Sequence, residues 1–153
     1  MIVEKITSFD GEFAFLSNIY PSEFIDKGIS FPTVEHYFQA MKSDSAFDCL
    51  KIAAAASPGQ AKRLGRHCLL RKDWEDVKNS IMEQGLRLKF EDPELRQKLI
   101  DTHPAELVEG NWWGDTCWGV CNGVGENRLG KLLMKLRDEY RAEQEKNGDQ
   151  FNK

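Results

Sequence analysis

Apolar residues in the stretch PTVEHYFQAMK, residues 32–42, recur with the period of an α-helix that starts near Thr33. One side of this helix carries an apolar stripe at i, i+3, i+4 and i+7, formed by Val34, Tyr37, Phe38 and Met41. A second side, roughly 100° further round the axis, carries an acid, an amide and an amine, namely Glu35, Gln39 and Lys42. The pattern predicts a helix that is buried along its stripe and holds polar groups at the edge of a pocket.

Capping residues predict where the helices begin. Side chains suited to an N-cap precede five helical stretches, at Thr33, Asp44 or Ser45, Ser57, Asp73 and Asp92. Gly85 lies on the apolar face of the helix that follows Asp73, where we expect it to let a neighbour approach closely. A last helix is predicted from near Glu126.

Short strands are predicted outside the helical stretches. Apolar residues such as Phe13 and Phe15, separated by turn residues, predict strands and tight turns between residues 2 and 31. They include a hairpin around Asp26-Lys27-Gly28, and a further strand is predicted within residues 105–109. The elements together indicate an α+β fold, mainly helical, with a small N-terminal β portion.

The length of 153 residues suits one compact domain, which would bury about 70% of its unfolded surface. We expect that domain to span residues 1–141 and to be followed by a polar tail, residues 142–153, that frays. No stretch approaches the ~20 apolar residues of a membrane span, and the N-terminal residues lack the apolar core of a signal peptide.

Charge and cysteine content exclude some classes of function. The 21 basic and 25 acidic residues give a net charge of −4, so we expect no extended nucleic-acid surface, although a local basic site is compatible with this balance. Four cysteines form no CxxC pair and match no common zinc spacing: Cys49, Cys68, Cys117 and Cys121. We expect reduced thiols in a cytoplasmic protein, with neither a metal nor a cofactor.

Glu35 and Lys42 are candidates for chemistry at the predicted helix. An acid in a first helical turn complements the helix dipole, which is one interpretation of Glu35; a general acid or base is the other. Lys42 would either stabilise the ionised carboxylate by its charge or act as a nucleophilic amine once partly desolvated.

Residues 110–125, GNWWGDTCWGVCNGVG, form a loop rich in glycine and tryptophan. Asp115 and Trp118 are three residues apart and should lie near each other in a tight turn. The three tryptophans of this loop either fill the core or form an aromatic wall for a flat ring such as adenine or nicotinamide: Trp112, Trp113 and Trp118.

A basic cluster stands out in this acidic chain: Lys62, Arg63, Arg66 and Arg71. Such residues commonly form a solvated face, but they also suit a phosphate or pyrophosphate. His36 and His67 fit no pair of metal ligands, so we expect them to be structural or exposed.

Six blocks occur in an order that resembles the NADAR family, also called YbiA-like, over about residues 9–139. The blocks are FLSNIYPSEF (15–24), PTVEHYFQAMK (32–42), SPGQAKRLGR (57–66), RKDWEDVKNSIMEQGLRLKF (71–90), LVEGNWWGDTCWG (107–119) and NRLGKLLMKLRDE (127–139). Any one block alone is weak evidence, but six in register are specific. The resemblance implies a single YbiA-like domain.

The resemblance also implies an N-glycosidase. One branch of the family hydrolyses phosphoribosylated pyrimidine intermediates of riboflavin synthesis, and another removes ADP-ribose from guanine bases. The implied substrate is therefore a (phospho)ribosylated or ADP-ribosylated base, a small nucleotide-like molecule or modified DNA that is contacted transiently. No membrane partner is implied, and the resemblance does not choose between the branches.

Site residues carry over from the family motifs onto this chain. The V-E-H-x-x-Q-A-x-K block gives Glu35 and Lys42, the D-x-x-W-G block gives Asp115 and Trp118, and L-S-N and N-R-L-G give Asn18 and Asn127. We expect three catalytic residues, Glu35, Lys42 and Asp115, and either carboxylate could serve at the anomeric carbon. We expect seven substrate-binding residues: Asn18, Gln39, Lys62, Arg63, Arg66, Trp118 and Asn127. Ile19 stands where many members have phenylalanine.

Two other functions are consistent with parts of the pattern. A non-catalytic ADP-ribose or NAD-derivative binding module would need the tryptophans and the basic cluster but neither Glu35 nor Asp115. A protein-interaction domain would use the tryptophan loop as an exposed contact patch.

Overall fold

A computed structural model of the protein describes residues 3–151. The first two residues of the predicted domain, 1–2, and the last two of the predicted tail, 152–153, lie outside the described residues. Within this range the strands are β1 (Lys5–Ile6), β2 (Phe24–Asp26), β3 (Ile29–Phe31), β4 (Glu106–Leu107), β5 (Gly110–Asn111) and β6 (Val120–Cys121). The helices are α1 (Val34–Ala40), α2 (Ala46–Ala53), α3 (Pro58–His67), α4 (Trp74–Lys89), α5 (Pro93–Asp101) and α6 (Arg128–Phe151). The predicted α+β class, mainly helical, is confirmed.

These elements group into two units, which we name the central unit and the terminal unit. The central unit is Asn18–Glu91, and the terminal unit comprises the described residues of Met1–Ser17 and Asp92–Lys153. The central unit contains β2, β3 and helices α1 to α4, while the terminal unit contains the remaining strands with α5 and α6. Each unit is built around its own helices.

The predicted hairpin is present at the start of the central unit. Strands β2 and β3 pair antiparallel, with Phe24 opposite Phe31. Lys27 and Gly28 between them have φ of 50° and 80°, the left-handed conformation that a two-residue hairpin turn needs. The Tyr37 ring of α1 packs edge-on against both phenylalanine rings, with centroid distances of 5.7 Å and 5.1 Å. The hairpin is thereby held against α1.

Helix α1 is the core of the central unit and packs against α2, α3 and α4. Its apolar stripe is buried, as predicted, except that Met41 is half-buried. His36, on another side, is also buried, and its ring bonds the Thr33 hydroxyl at 2.8 Å and the Ala55 carbonyl at 3.1 Å. Because polar residues are enclosed as well, more of the helix is buried than the stripe alone predicts.

Four of the five predicted helix caps are confirmed. Side chains accept backbone N–H bonds at the starts of α1, α2, α3 and α5, from Thr33, Ser45, Ser57 and Asp92. Asp73 occupies the N-cap position of α4 as predicted, but its carboxylate makes no capping bond and instead accepts bonds from the Arg71 guanidinium at 2.6 Å and 3.0 Å. A charged partner two residues away therefore outcompetes the helix N-terminus.

The terminal unit differs from the sequence prediction at its N-terminal end. Phe13 and Phe15 lie in a 3-10 helix, Gly11–Leu16, and not in strands. Phe15 and Leu16 are adjacent and both buried, a pattern that a helical turn accommodates and a strand with alternating faces does not. In the same unit β1 pairs parallel with β4, β5 pairs parallel with β6, and α5 packs on α6.

Helix α6 continues to Phe151 and so includes most of the residues placed in the polar tail. Among the described residues, no helix combines the length and the apolar composition needed to cross a membrane.

Gly85 allows α4 to pack closely against the Tyr37 ring of α1. Replacing Gly85 tests this packing. A Cβ at Gly85 would lie 2.9 Å from Cδ1 of the Tyr37 ring. We expect Gly85→Ala to lower the free energy of unfolding by about 1 kcal/mol, because overpacking outweighs the helix propensity of alanine. Gly148→Ala in α6 is the control, since no heavy atom lies within 4 Å of its added Cβ. Chemical denaturation of both variants measures this, and equal stabilisation by the two would contradict the packing.

Candidate functional site

Glu35 occupies the first turn of α1, where two interactions fix its backbone and side chain. Its N–H donates to the carbonyl of Asn18 at 3.1 Å, which ties the preceding segment to the helix start. Its Oε1 accepts a hydrogen bond from Nε2 of Gln39 at 2.9 Å, one turn further along. Glu35 is half-buried. The carboxylate is therefore held in place and still open to solvent on part of its surface.

Gln39 is buried, with 3% of its surface exposed, between α1 and α3. Its Oε1 is enclosed and has no hydrogen-bond partner in the described part of the chain. The same oxygen lies against Gly65 of α3, so closely that a Cβ at residue 65 would collide with it. Gly65 therefore makes room for the amide that bonds Glu35.

Lys42 follows α1 and places its amine among aromatic rings. Nζ lies 5.7 Å from the centroid of the Phe38 ring and 5.8 Å from that of the Trp74 ring. Burial lowers the pKa of Lys42, the Glu35 and Cys68 side chains raise it, and two cations of α3 lower it further. The balance is a lowered pKa, which increases the fraction of neutral amine.

Lys89 is a second lysine among the described residues whose pKa is lowered, to about 7, and burial is the cause. Only 2% of its surface is exposed, whereas Lys42 is half-buried. Of these two amines, Lys42 is therefore the one that a substrate can reach.

The predicted basic cluster separates into three parts. Lys62 and Arg66 are exposed, one turn apart on α3, and both lower the pKa of Lys42 by charge. Arg63 is also exposed, about 100° round the helix from Lys62. Arg71 forms an ion pair with Asp73 at 2.6 Å. The structure thus brings Lys62 and Arg66 to Lys42.

Asn18 lies at the start of α1 with its side chain against α4. Its Nδ2 lies 3.5 Å from the sulfur of Met82, while its Oδ1 is buried and bonds nothing among the described residues. The neighbouring Ile19, which stands where the family often has phenylalanine, is 59% exposed. This segment therefore combines an enclosed amide with an accessible apolar side chain.

The loop residues belong to the terminal unit and form a hydrogen-bonded group of their own. Oδ1 of Asp115 accepts bonds from the N–H groups of Cys117 at 3.1 Å and Trp118 at 2.9 Å, which confirms the predicted tight turn. The Asn111 side chain bonds the N–H and carbonyl of Asp115 at 3.0 Å and 2.9 Å. Asp115 therefore has a structural role in shaping the loop. Asn111 was not predicted, although an amide four residues before an aspartate in a loop is a usable signal.

Asn127 also has a structural role in the terminal unit. Its Oδ1 accepts from the N–H of Glu109 at 3.0 Å, and its Nδ2 donates to the carbonyl of Leu107 at 2.9 Å. Its φ of 51° is left-handed, a conformation that asparagine tolerates. Both side-chain polar atoms are thus bonded to backbone.

Two of the three tryptophans of the loop are exposed and are not core residues. Trp112 is 87% exposed and Trp113 is 52% exposed, and their rings meet edge-on with centroids 5.7 Å apart. Trp118 is half-buried. The core interpretation is therefore wrong for Trp112 and Trp113.

Comparison with known proteins gives three concordant similarities. Residues 7–141 match the model of the NADAR domain. The chain is 46% identical to N-glycosidase YbiA of Shigella boydii over 123 residues, which covers 76% of this chain and 74% of that protein. It is also similar to the NMR structure of Escherichia coli YbiA, with a TM-score of 0.82, 40% identity, and coverage of 93% of this chain and 86% of that one.

A longer relative is riboflavin biosynthesis protein VVA0006 of Vibrio vulnificus. The identity is 34% over 149 residues, which covers 93% of this chain but 40% of that protein.

Substitutions of the charged residues around Lys42 should shift its pKa in opposite directions, depending on the sign of the charge removed. Glu35→Gln should lower the pKa of Lys42 further, because it removes the carboxylate that raises it. Lys62→Ala and Arg66→Ala should raise that pKa, because each removes a cation. Competitive amine labelling of Lys42 as a function of pH measures these shifts. Arg63→Ala is the matched control, and an equal shift in that variant would contradict the pairing of Lys62 and Arg66 with Lys42.

Proposed function

This chain belongs to the NADAR domain family and is an N-glycosyl hydrolase, and we propose that it hydrolyses the N-glycosidic bond of a phosphoribosylated aminopyrimidine of the riboflavin pathway. The observation that carries the proposal is the grouping of Glu35 and Lys42 with two cations of α3. A carboxylate, a reactive amine and a phosphate-binding pair are the groups that this reaction needs. The name of the Vibrio vulnificus relative supports the choice of pathway.

Glu35 serves the anomeric carbon in this proposal. Cleavage passes through an oxocarbenium-like state in which positive charge grows on C1′, and a nearby carboxylate stabilises that charge. Water adds to C1′ as the bond to the base nitrogen breaks. Glu35 takes the proton of that water and returns it to the leaving nitrogen. The products are the free aminopyrimidine and ribose 5-phosphate. Of the two candidate carboxylates we assign Glu35, because Oδ1 of Asp115 already accepts two backbone bonds in its own loop.

Lys42 has two roles that agree with its surroundings. As a cation it positions a phosphate or ribose oxygen. As a neutral amine, which its lowered pKa favours, it condenses with the aldehyde of the opened ribose to form an imine and release water. Borohydride reduces such an imine to a stable amine, so trapping distinguishes the roles.

The phosphate is assigned to Lys62 and Arg66. Both are exposed, lie one turn apart, and act on Lys42 by charge. Arg63 is a further phosphate ligand from the outer side of α3. Asn18, Trp118 and Asn127 remain substrate-binding candidates by family resemblance.

Base release is the test of the function. Purified protein is incubated with the phosphoribosylated aminopyrimidine and, in parallel, with DNA that carries ADP-ribosylated guanine, and the free base is measured by mass spectrometry. We expect release from the aminopyrimidine. Release only from the modified DNA would move the substrate to the other branch of the family, and release from neither would contradict the proposed substrate class.

Glu35→Gln should abolish this turnover while the free energy of unfolding changes by no more than about 1 kcal/mol. The reason is that a glutamine at residue 35 keeps an oxygen able to accept the bond from Gln39. Glu75→Gln is the matched control, since Glu75 is an exposed first-turn acid of α4 in the same unit. Wild-type turnover by Glu35→Gln would contradict a catalytic role for Glu35.

A further inference from the structure

The amide of Gln39 links the Glu35 carboxylate on α1 to the backbone of α3. Its Nε2 donates to Glu35 at 2.9 Å, and its Oε1 lies against Gly65. With 3% of its surface exposed, Gln39 offers a substrate almost no surface to contact. Its position points to an action on Glu35 and not on the substrate.

We propose that Gln39 is a positioning residue that orients Glu35 in both of its protonation states, and that Gly65 is required to hold the amide there. This inference rests on the proposed role of Glu35. Hydrogen bonds from a neutral donor to a carboxylate are stronger than those between neutral groups, so the amide restrains the carboxylate in one orientation.

Oε1 of Gln39 has no hydrogen-bond partner among the described residues, so it is available to accept a bond from a protonated Glu35. A half-turn of the amide exchanges its oxygen and nitrogen, which places Oε1 where Nε2 now lies, 2.9 Å from Glu35. Two oxygens at that distance need a proton between them, and a protonated Glu35 supplies it as an O–H donor. An acid that takes up and returns a proton during hydrolysis thus keeps the same partner throughout.

Gly65 leaves the space that this arrangement occupies. A Cβ at residue 65 would collide with Oε1 and would also lie 3.0 Å from Cδ of the amide. These contacts involve the enclosed end of the side chain, which has little room to retreat between two packed helices. A side chain at residue 65 would therefore displace the amide from Glu35.

The charged groups around Glu35 and Lys42 are unchanged when Gln39 is replaced. Lys42 interacts electrostatically with Glu35, and Lys62, Arg66 and Cys68 interact in turn with Lys42. The group that α4 places against the Lys42 amine is the uncharged ring of Trp74. A difference in kcat between wild type and a Gln39 variant therefore reports the loss of the amide.

The decisive experiment measures kcat and KM of Gln39→Met as a function of pH, beside wild type. Methionine keeps the length of the side chain and removes the amide donor. We expect kcat to fall about tenfold with KM little changed, because a carboxylate without its restraint is less often oriented towards C1′.

Gln39→Glu provides the rescue. Two carboxyl groups at this distance share a proton at low pH, so we expect activity to return towards wild type as the pH falls, unlike in Gln39→Met. Gly65→Ala should reproduce the fall in kcat of Gln39→Met although it leaves the glutamine in place, because the added Cβ displaces the amide. This variant keeps the inference testable if Gln39→Met fails to fold.

The outcomes separate this inference from the proposed function. Wild-type kcat in both Gln39→Met and Gly65→Ala would overturn the role of Gln39, even with Glu35→Gln inactive. Full turnover by Glu35→Gln would overturn the proposed function and the inference together. A fall in kcat with KM little changed in both variants, and rescue of Gln39→Glu at low pH, would support both.

Discussion

Helix α1 has to bury its apolar stripe on one side and hold a carboxylate on another, and the central unit is built around this constraint. The stripe is covered by the hairpin and α4, where Gly85 admits the Tyr37 ring. The polar side is covered by α3, where Gly65 admits the Gln39 amide. Two glycines on two helices therefore decide how closely α1 is packed. Glu35 remains half-buried between these contacts, in a position fixed by its neighbours.

The electrostatics of Lys42 follow from the same packing. An amine surrounded by Phe38 and Trp74 loses solvent, which lowers its pKa, and the cations Lys62 and Arg66 act in the same direction. Glu35 opposes both effects. A phosphate bound by those cations would also offset them, so substrate binding and the protonation of Lys42 are coupled. In the proposed mechanism this coupling links the Lys42 amine to the phosphate that we assign to Lys62 and Arg66.

Local chemistry made much of the fold predictable. Caps such as Thr33 and Ser57, the turn at Lys27-Gly28 and the helical spacing of α1 each depend on residues close in sequence. Predictions failed where distant or competing partners decide. Asp73 turns to Arg71 and not to its helix, and the buried pair Phe15 and Leu16 selects a 3-10 turn. Gly65 and Gln39, which are in contact, are 26 positions apart in the sequence. The local pattern around each residue carries no information about this contact.

Within the site, the helical period correctly grouped Glu35, Gln39 and Lys42, but it could not show that Gln39 is enclosed. The basic cluster was predicted from composition, and only packing could show that Lys62 and Arg66, and not Arg71, act on Lys42. Asp115 illustrates the limit of motif reasoning, since its spacing to Trp118 is explained by the hydrogen bond that the Trp118 N–H donates to the Asp115 side chain. The exposure of Trp112 likewise depends on loop geometry and not on residue type.

The central claim is that Glu35 acts at the anomeric carbon of a phosphoribosyl substrate held by α3. A crystal structure of the Glu35→Gln variant with the uncleaved phosphoribosylated aminopyrimidine tests it most directly. We expect C1′ to lie within about 3.5 Å of the side chain of residue 35, the distance of reacting groups, and the phosphate to contact Lys62 and Arg66. A complex in which C1′ lies beyond the reach of residue 35, or in which the phosphate is bound elsewhere, would contradict this account.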